Sequence, residues 1–150
     1  MKRNIAAVLL CLAGTALAHC QLPCGIFNDD MRFKMMEEDI ITVQKSIMTI
    51  MKITRAQTKD QNQLVRWVHN KDEHAEKIQN LAWYYFLAQR VKPVTKDEVG
   101  EKEYGKYLKQ LELLHRIIFY AMKTKQSLDL ENVHKLQHLL KDFEKVYKSK

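Results

Sequence analysis

The 150-residue chain is predicted to be all-α, with the architecture of a four-helix bundle, on three observations. Apolar residues recur at spacings of three and four along most of the chain beyond Asn28, as they do on one face of an amphipathic helix. No run of alternating polar and apolar residues bounded by turn signals is present, so no segment is a good candidate for a strand. The chain has only two prolines, Pro23 and Pro93, and only Pro93 lies within this pattern.

The first two helices are predicted to be long. The first extends from about Asp29 to Lys59, with Asn28 or Asp29 as its N-cap. The second extends from about Asp60 to Arg90 and ends before Pro93, whose ring cannot continue the helical hydrogen bonding. The predicted core face of the first helix consists of Phe33, Met36, Ile40, Val43, Ile47, Ile50 and Met51. That of the second consists of Leu64, Val68, Ala75, Ile78, Ala82, Tyr85 and Phe86, with the charged Lys71 between them.

A linker over residues 92–100, closed by Gly100, separates these helices from the last two. The third helix is predicted from about Glu101 to Lys125, and Ser127 or Asp129 can cap the fourth. The predicted core face of the third helix is Tyr104, Tyr107, Leu108, Leu111, Leu114, Ile118 and Ala121, and that of the fourth is Val133, Leu136, Leu140, Phe143 and Tyr147. Four amphipathic helices joined mostly by short connections predict a bundle domain over residues 28–150.

Residues 1–18 have the pattern of a secretory signal peptide. They begin with the basic Lys2 and Arg3, continue as an apolar run and end in Ala16-Leu17-Ala18, a site for signal peptidase. The run is shorter than the roughly 20 apolar residues of a membrane-spanning helix. We therefore expect an exported protein, periplasmic or extracellular, that starts at His19 and has no membrane segment after processing.

The charge of the chain is moderately basic. Loss of the two basic leader residues lowers the formal net charge from +7 to +5. Such an excess is compatible with an anionic substrate. Because basic and acidic residues are interleaved rather than clustered, nucleic-acid binding is not expected.

Residues 19–27, directly after the leader, concentrate metal ligands. At His19 the free α-amine and the imidazole can bind one ion together. The backbone amide nitrogen and the thiolate of Cys20 extend the chelate, and Cys24 can supply a second thiolate. The amine has a reference pKa of about 7.7 to 8.0, so it can be a neutral donor near neutral pH. We expect these residues to form an N-terminal metal-binding hook.

The geometry of this donor set indicates which metal it would hold. Pro23 fixes its own φ and Gly25 can adopt positive φ, so both can shape a turn around an ion. An amine, an amide and two thiolates in one plane favour nickel or copper, whereas zinc prefers a tetrahedral set. Thiolates and a deprotonated amide stabilise a higher oxidation state, which predicts a redox-active centre.

The motif His-Cys-x-x-Pro-Cys-Gly-x-Tyr at a processed amino terminus, ahead of an all-helical domain, resembles that of the nickel superoxide dismutases. His19, Cys20, Pro23, Cys24 and Gly25 are in register with it. The resemblance implies a homohexamer of four-helix bundles with one nickel ion per chain. The nickel would alternate between two and three positive charges while superoxide is converted to dioxygen and hydrogen peroxide, an antioxidant activity.

The resemblance also implies roles for single residues. His19 would give its amine and, in the oxidised state, its imidazole, while Cys20 and Cys24 would give the remaining donors. Phe27 departs from the family, which usually has tyrosine there beside the open face of the metal. A second family tyrosine, which precedes a phenylalanine on the second helix, corresponds to Tyr85, with Tyr84 as the alternative.

The family further holds the axial imidazole with a glutamate of the first helix and an arginine. Glu38, or alternatively Glu37, is the candidate for the first role, and Arg66 is the candidate for the second. Such residues orient a metal ligand and tune its basicity. Alternatively, Glu37, Glu38 and Arg66 are charged residues on solvent-exposed faces of their helices.

Two rival functions are considered. A copper monooxygenase-like site would use the amine and ring of an N-terminal histidine, but it usually needs a second histidine where this chain has thiols. A non-enzymatic exported metal carrier or adaptor would have Cys20 and Cys24 joined in a disulfide. His134 and His138, one helical turn apart, are expected to be surface residues, and the methionines are expected to fill the core.

Overall fold

The computed structural model describes residues 28–149, which form four helices and contain no strand. Helix α1 spans Asp29–Arg55, α2 spans Gln61–Asn80, α3 spans Lys96–Gln126 and α4 spans Leu130–Lys148. Helix α2 continues directly into a π-helical segment, Leu81–Arg90. The predicted all-α, four-helix architecture is confirmed.

Capping side chains start three of the helices at the predicted places. The Asn28 side chain accepts a hydrogen bond from the Asp30 amide at 2.8 Å and so caps α1. Asp60 caps α2 by accepting from the Gln63 amide, and Asp129 caps α4 by accepting from the Glu131 amide. Of the alternatives left open by the sequence, Asn28 and Asp129 are therefore the N-caps.

Helix α3 begins one turn earlier than predicted. Thr95 and Glu98 form a capping box, in which the Thr95 amide and hydroxyl both donate to the Glu98 carboxylate at 2.8 Å. This box starts a helical turn inside the predicted linker. Gly100 then interrupts the helix with φ 80° and ψ 170°, a backbone conformation that favours glycine. The glycine that was expected to close the linker is thus a kink within α3.

The predicted core faces largely form the core. Helix α1 packs against α2 and α4, and α3 packs against the same two helices, which gives a square bundle. Two predicted core residues, Val68 and Leu108, are exposed. Leu113 and Ile117, which were not assigned to the core face of α3, are fully buried, so the packed face of this helix is rotated relative to the predicted one. Lys71, expected between core residues, is itself buried.

The up-and-down connectivity brings particular helix ends together. Since consecutive helices run in opposite directions, the start of α1 lies at the same end of the bundle as the end of the π-helical segment and the end of α4. We call this the proximal end, because the predicted hook precedes α1 there. In residues 28–149, no helix is both long enough and apolar enough to span a membrane.

Candidate functional site

The proximal end is organised around the carboxylate of Asp29, in the first turn of α1. Tyr85 donates a hydrogen bond to its Oδ1, and Tyr147 donates to its Oδ2 at 2.7 Å. The Nε of Arg90 lies 2.9 Å from Oδ1. We call these four residues, Asp29, Tyr85, Arg90 and Tyr147, the Asp29 cluster. It joins α1, the π-helical segment and α4.

The π-helical geometry explains how Arg90 reaches Tyr85. In an α-helix, residues five apart point in directions about 140° apart. In a π-helix, residue i bonds to i+5, so residues five apart lie roughly one turn above each other. The Val91 amide makes such a bond to the Phe86 carbonyl at 2.8 Å. Accordingly, Arg90 donates from Nη2 and Nε to the Tyr85 hydroxyl, at 2.8 and 3.2 Å.

The hydrogen bonds determine the protonation of the cluster. Burial raises the pKa of Asp29, but the hydrogen bonds from Tyr85 and Tyr147 and the charge of Arg90 outweigh it, so that pKa lies below its ordinary value. Burial, followed by the hydrogen bond to Asp29, raises the pKa of both Tyr85 and Tyr147. The carboxylate is therefore ionised at neutral pH, and both phenols keep their protons.

Two guanidinium groups lie against the ring of Tyr85. The Cζ of Arg32 is 5.2 Å from the ring centroid, and that of Arg90 is 5.0 Å from it. Both distances are within the range of cation–π contacts. The surroundings of the Tyr85 ring are consequently electropositive, with Asp29 as the nearby ionised acid.

An aromatic cluster lies beneath these polar groups. Phe86 is in contact with Phe33 at a centroid distance of 4.9 Å and with Phe143 at 5.0 Å. The ring of Tyr147 packs on the same group, 5.6 Å from Phe86. Close packing of these rings limits where the hydroxyl of Tyr147 can point. The cluster therefore rests on a rigid part of the core.

Of the residues assigned to the site by resemblance, Tyr85 is buried at the proximal end, whereas Tyr84 is 37% exposed. Glu38 is exposed and lines a groove of about 410 Å³ with Asp39 and Lys77. Arg66 is exposed and lies 19 residues before Tyr85 on the same helical run, about 28 Å along its axis. The structure thus does not bring Arg66 together with Tyr85.

The remaining predicted site residues are His19, Cys20, Pro23, Cys24, Gly25 and Phe27, and all of them lie outside the described residues. Their donor chemistry can still be compared with a metal. One amine, one amide nitrogen, one imidazole and two thiolates match the tetragonal nitrogen and sulfur sets that nickel accepts. The residues present in this segment therefore fit a nickel ion.

No metal site is found in the part of the chain that the structure describes. Within residues 28–149, no group of three or more His, Cys, Asp and Glu side chains could hold an ion. His134 and His138 are both exposed on α4, as expected.

His74 pairs with the buried Asp39, with His74 Nδ1 2.6 Å from Asp39 Oδ1. Burial raises the pKa of Asp39, and the hydrogen bond with His74 only partly offsets this effect.

Sequence reasoning missed three members of the Asp29 cluster as functional candidates. Asp29 was considered only as a helix cap, and Tyr147 only as a core residue. Arg90 was read as the end of an α-helix, where it would point away from Tyr85. The sequence carried one signal, which is the place of an acidic residue, Asp29, five residues after Cys24.

Comparison with known proteins gives one match. The family model described as nickel-containing superoxide dismutase matches residues 14–150, which include the ligand-rich segment and all four helices. No curated protein and no solved structure matches the chain.

Proposed function

The chain belongs to the nickel-containing superoxide dismutase family, and from this premise we propose that His19, Cys20 and Cys24 hold its nickel. Its activity is that of the family, the conversion of superoxide to dioxygen and hydrogen peroxide. The observation that carries the proposal is the coincidence of a nitrogen and thiolate donor set with the predicted start of the mature chain. Neither the copper monooxygenase nor the adaptor hypothesis has comparable support.

Bound nickel supplies a one-electron couple, alternating between two and three positive charges. In the proposal, the α-amine of His19 is a donor only after the leader is removed, because an amide nitrogen at that place is a poorer ligand. The amide nitrogen and thiolate of Cys20 and the thiolate of Cys24 would supply the remaining donors. The imidazole of His19 would be a further nitrogen donor, and Pro23 and Gly25 would shape the turn around the ion.

The reaction consumes protons, and this bears on the role of Tyr85. Two superoxide ions take up two protons to give one dioxygen and one hydrogen peroxide. The hydroxyl of Tyr85 keeps its proton and donates a hydrogen bond to Asp29, and the hydroxyl oxygen accepts one from Arg90. With its pKa raised, Tyr85 is suited to orient neighbouring groups rather than to release a proton. Phe27, in place of the family tyrosine, removes a second hydroxyl from the proposed pocket.

The positive surroundings of Tyr85 favour an anionic substrate. The Arg32 and Arg90 guanidinium groups lie about the ring, and residues 19–27 contain no acidic side chain. Positive potential near a site raises the local concentration of an anion such as superoxide. Glu38 and Arg66 stay proposals for orienting the imidazole, and for Arg66 its distance along the helix from Tyr85 weighs against a shared site.

We also propose one nickel ion per chain, a homohexameric assembly and export by a cleaved signal peptide, residues 1–18. The single donor set in the sequence supports the stoichiometry, and the basic, apolar and small-residue order of the leader supports export. The hexamer rests on the family resemblance. Export would place the enzyme in the periplasm or outside the cell.

A test of the proposed site starts from protein exported with its own leader. Its intact mass, nickel content and superoxide consumption are measured on one sample. We expect a chain that starts at His19, with nickel content and activity rising together. A variant with one extra residue before His19 should keep its helical circular dichroism but lose nickel and activity, because the amine becomes an amide. Full activity in that variant would contradict the proposed ligand set.

A further inference from the structure

The Asp29 cluster lies where the predicted nickel segment joins the bundle. Asp29 comes two residues after Phe27 and five after Cys24. Any change in the position of the first turn of α1 is therefore transmitted to the proposed ligands over a very short length of chain. The contacts of this turn with the rest of the bundle decide how precisely it is held.

The side chain of Asp29 provides those contacts. Both carboxylate oxygens accept hydrogen bonds, Oδ1 from Tyr85 of the π-helical segment and Oδ2 from Tyr147 of α4. Arg90 adds an ion pair through Nε, and its side chain is only 22% exposed. A carboxylate with charge-assisted and phenolic donors on both oxygens has little rotational freedom. Three separate elements thus meet at one group.

The neighbouring Asp30 provides an internal comparison. It also lies in the first turn of α1, and its Oδ1 is 2.5 Å from Lys148 Nζ. Its side chain is 56% exposed, against 32% for that of Asp29. Both acids interact favourably with the helix N-terminus. Of the two acids, only Asp29 accepts hydrogen bonds from the tyrosines of the proximal end, whereas Asp30 pairs with Lys148.

We propose that Asp29 is a positioning residue for the predicted nickel segment, because its carboxylate connects the start of α1 to the π-helical segment and to α4. The same carboxylate accepts the hydrogen bond of the Tyr85 hydroxyl and so fixes its orientation. The carboxylate of Asp29 therefore positions both the start of α1, which directly follows the ligand segment, and the Tyr85 hydroxyl, which is proposed to line the pocket. This inference rests on the proposed ligand set. In it, the π-helical segment has the role of bringing Arg90 into the Asp29 cluster.

The experiment compares Asp29→Asn with Asp30→Asn, each prepared without metal and titrated with nickel ion. Loss of a group that orients a metal ligand typically weakens metal binding about 10- to 100-fold. We expect that increase in the nickel dissociation constant for D29N, and a change within about threefold for D30N. The electron paramagnetic resonance spectrum of oxidised D29N should show altered nitrogen splitting from the His19 imidazole, whereas that of D30N should not.

Two further variants separate positioning from stability. Lys71→Met is expected to destabilise the bundle, but it lies 14 residues from Tyr85, about 21 Å along the helical run, so its nickel affinity should stay near wild type. Tyr147→Phe keeps the ring packing and removes one hydrogen bond to Asp29. It should weaken nickel binding less than D29N does, and adding it to D29N should have no further effect. If D29N does not fold, the nickel dissociation constant and the electron paramagnetic resonance spectrum of Y147F test the proposal in its place.

The outcomes are distinguishable. Nickel affinity and spectra of D29N and Y147F equal to those of D30N would overturn the positioning role and leave the ligand set intact. A wild-type chain starting at His19 that binds no nickel would contradict the ligand set itself. In that case the rate of thiol labelling at Cys20 and Cys24 still tests the position of the segment, since D29N should be labelled faster than D30N. Equal labelling rates would overturn the inference.

Discussion

The buried ammonium group of Lys71 donates to the main-chain carbonyls of Thr124 and Lys125, at 2.8 and 2.7 Å. Lys71 is on α2, and the two carbonyls belong to the last turn of α3, where helical carbonyls have no partner within the helix. A third bond reaches Asp72 at 2.7 Å. A lysine thus caps the C-terminus of a neighbouring helix, where its charge also interacts favourably with the helix dipole.

We expect Lys71→Met to lower the free energy of unfolding by about 2 kcal/mol. Methionine fills the space of the lysine stem but leaves the buried carbonyl of Thr124 and the partly buried carbonyl of Lys125 without this donor. Urea unfolding followed by circular dichroism measures the loss. Lys109→Met is the matched control, because Lys109 is 48% exposed and pairs with Glu112 on the surface. An equal loss in both variants would show that burial of the ammonium has no special effect.

Gly100 and Gly105, both on α3, allow a comparison of the same substitution in two backbone conformations. Gly100 has φ 80°, whereas Gly105 is helical, and a methyl group at either position would meet no atom within 4 Å. Gly100→Ala is therefore expected to cost about 1 to 3 kcal/mol from backbone strain alone. Gly105→Ala should stabilise the protein by about 0.5 to 1 kcal/mol, because it lowers the entropy of the unfolded chain. Thermal unfolding of both variants checks the opposite signs, and stabilisation by G100A would contradict the kink.

The pKa of Asp29 predicts how stability depends on pH. In the folded state this pKa lies below the ordinary value of 3.8, so ionised Asp29 contributes stability above that value, and the contribution is lost as pH falls through the folded-state pKa. The difference in free energy of unfolding between wild type and D29N should be largest above about pH 5 and shrink in acid. Urea unfolding at a series of pH values measures it. A difference that stays constant down to low pH would contradict the ionised cluster.

The cysteines can be tested against one another. Cys20→Ser and Cys24→Ser are each expected to remove nickel from the purified protein and to lower superoxide turnover at least about 100-fold, since each loses a thiolate of the proposed set. Cys11→Ser is the matched control, because the predicted cleavage removes Cys11. Metal analysis and turnover are measured for all three. Loss of nickel in C11S, with retention in C20S, would contradict both the cleavage site and the ligand set.

Much of the fold was predictable from local sequence, because helix formation depends on patterns within a few residues. The spacing of Phe33, Met36 and Ile40 determined which face of α1 is buried, and Asn28 determined where that helix starts. The prediction of Leu108 in the core was wrong because α3 packs on a face rotated towards Leu113 and Ile117, and the neighbouring helices decide which face is covered. The predicted ligands also come from local sequence, since chelation by residues 19–24 needs only a short chain.

The sequence by itself determined the four helices, most of their core faces and the ligand types of the proposed nickel segment, because each depends on residues close together in the chain. Only the tertiary structure decided that Asp29, Tyr85 and Tyr147 share hydrogen bonds, although 118 positions separate the first from the last. That contact requires the antiparallel packing that brings three helix ends together. It also requires the π-helical geometry that turns Arg90 towards Tyr85, because α-helical spacing would direct it elsewhere.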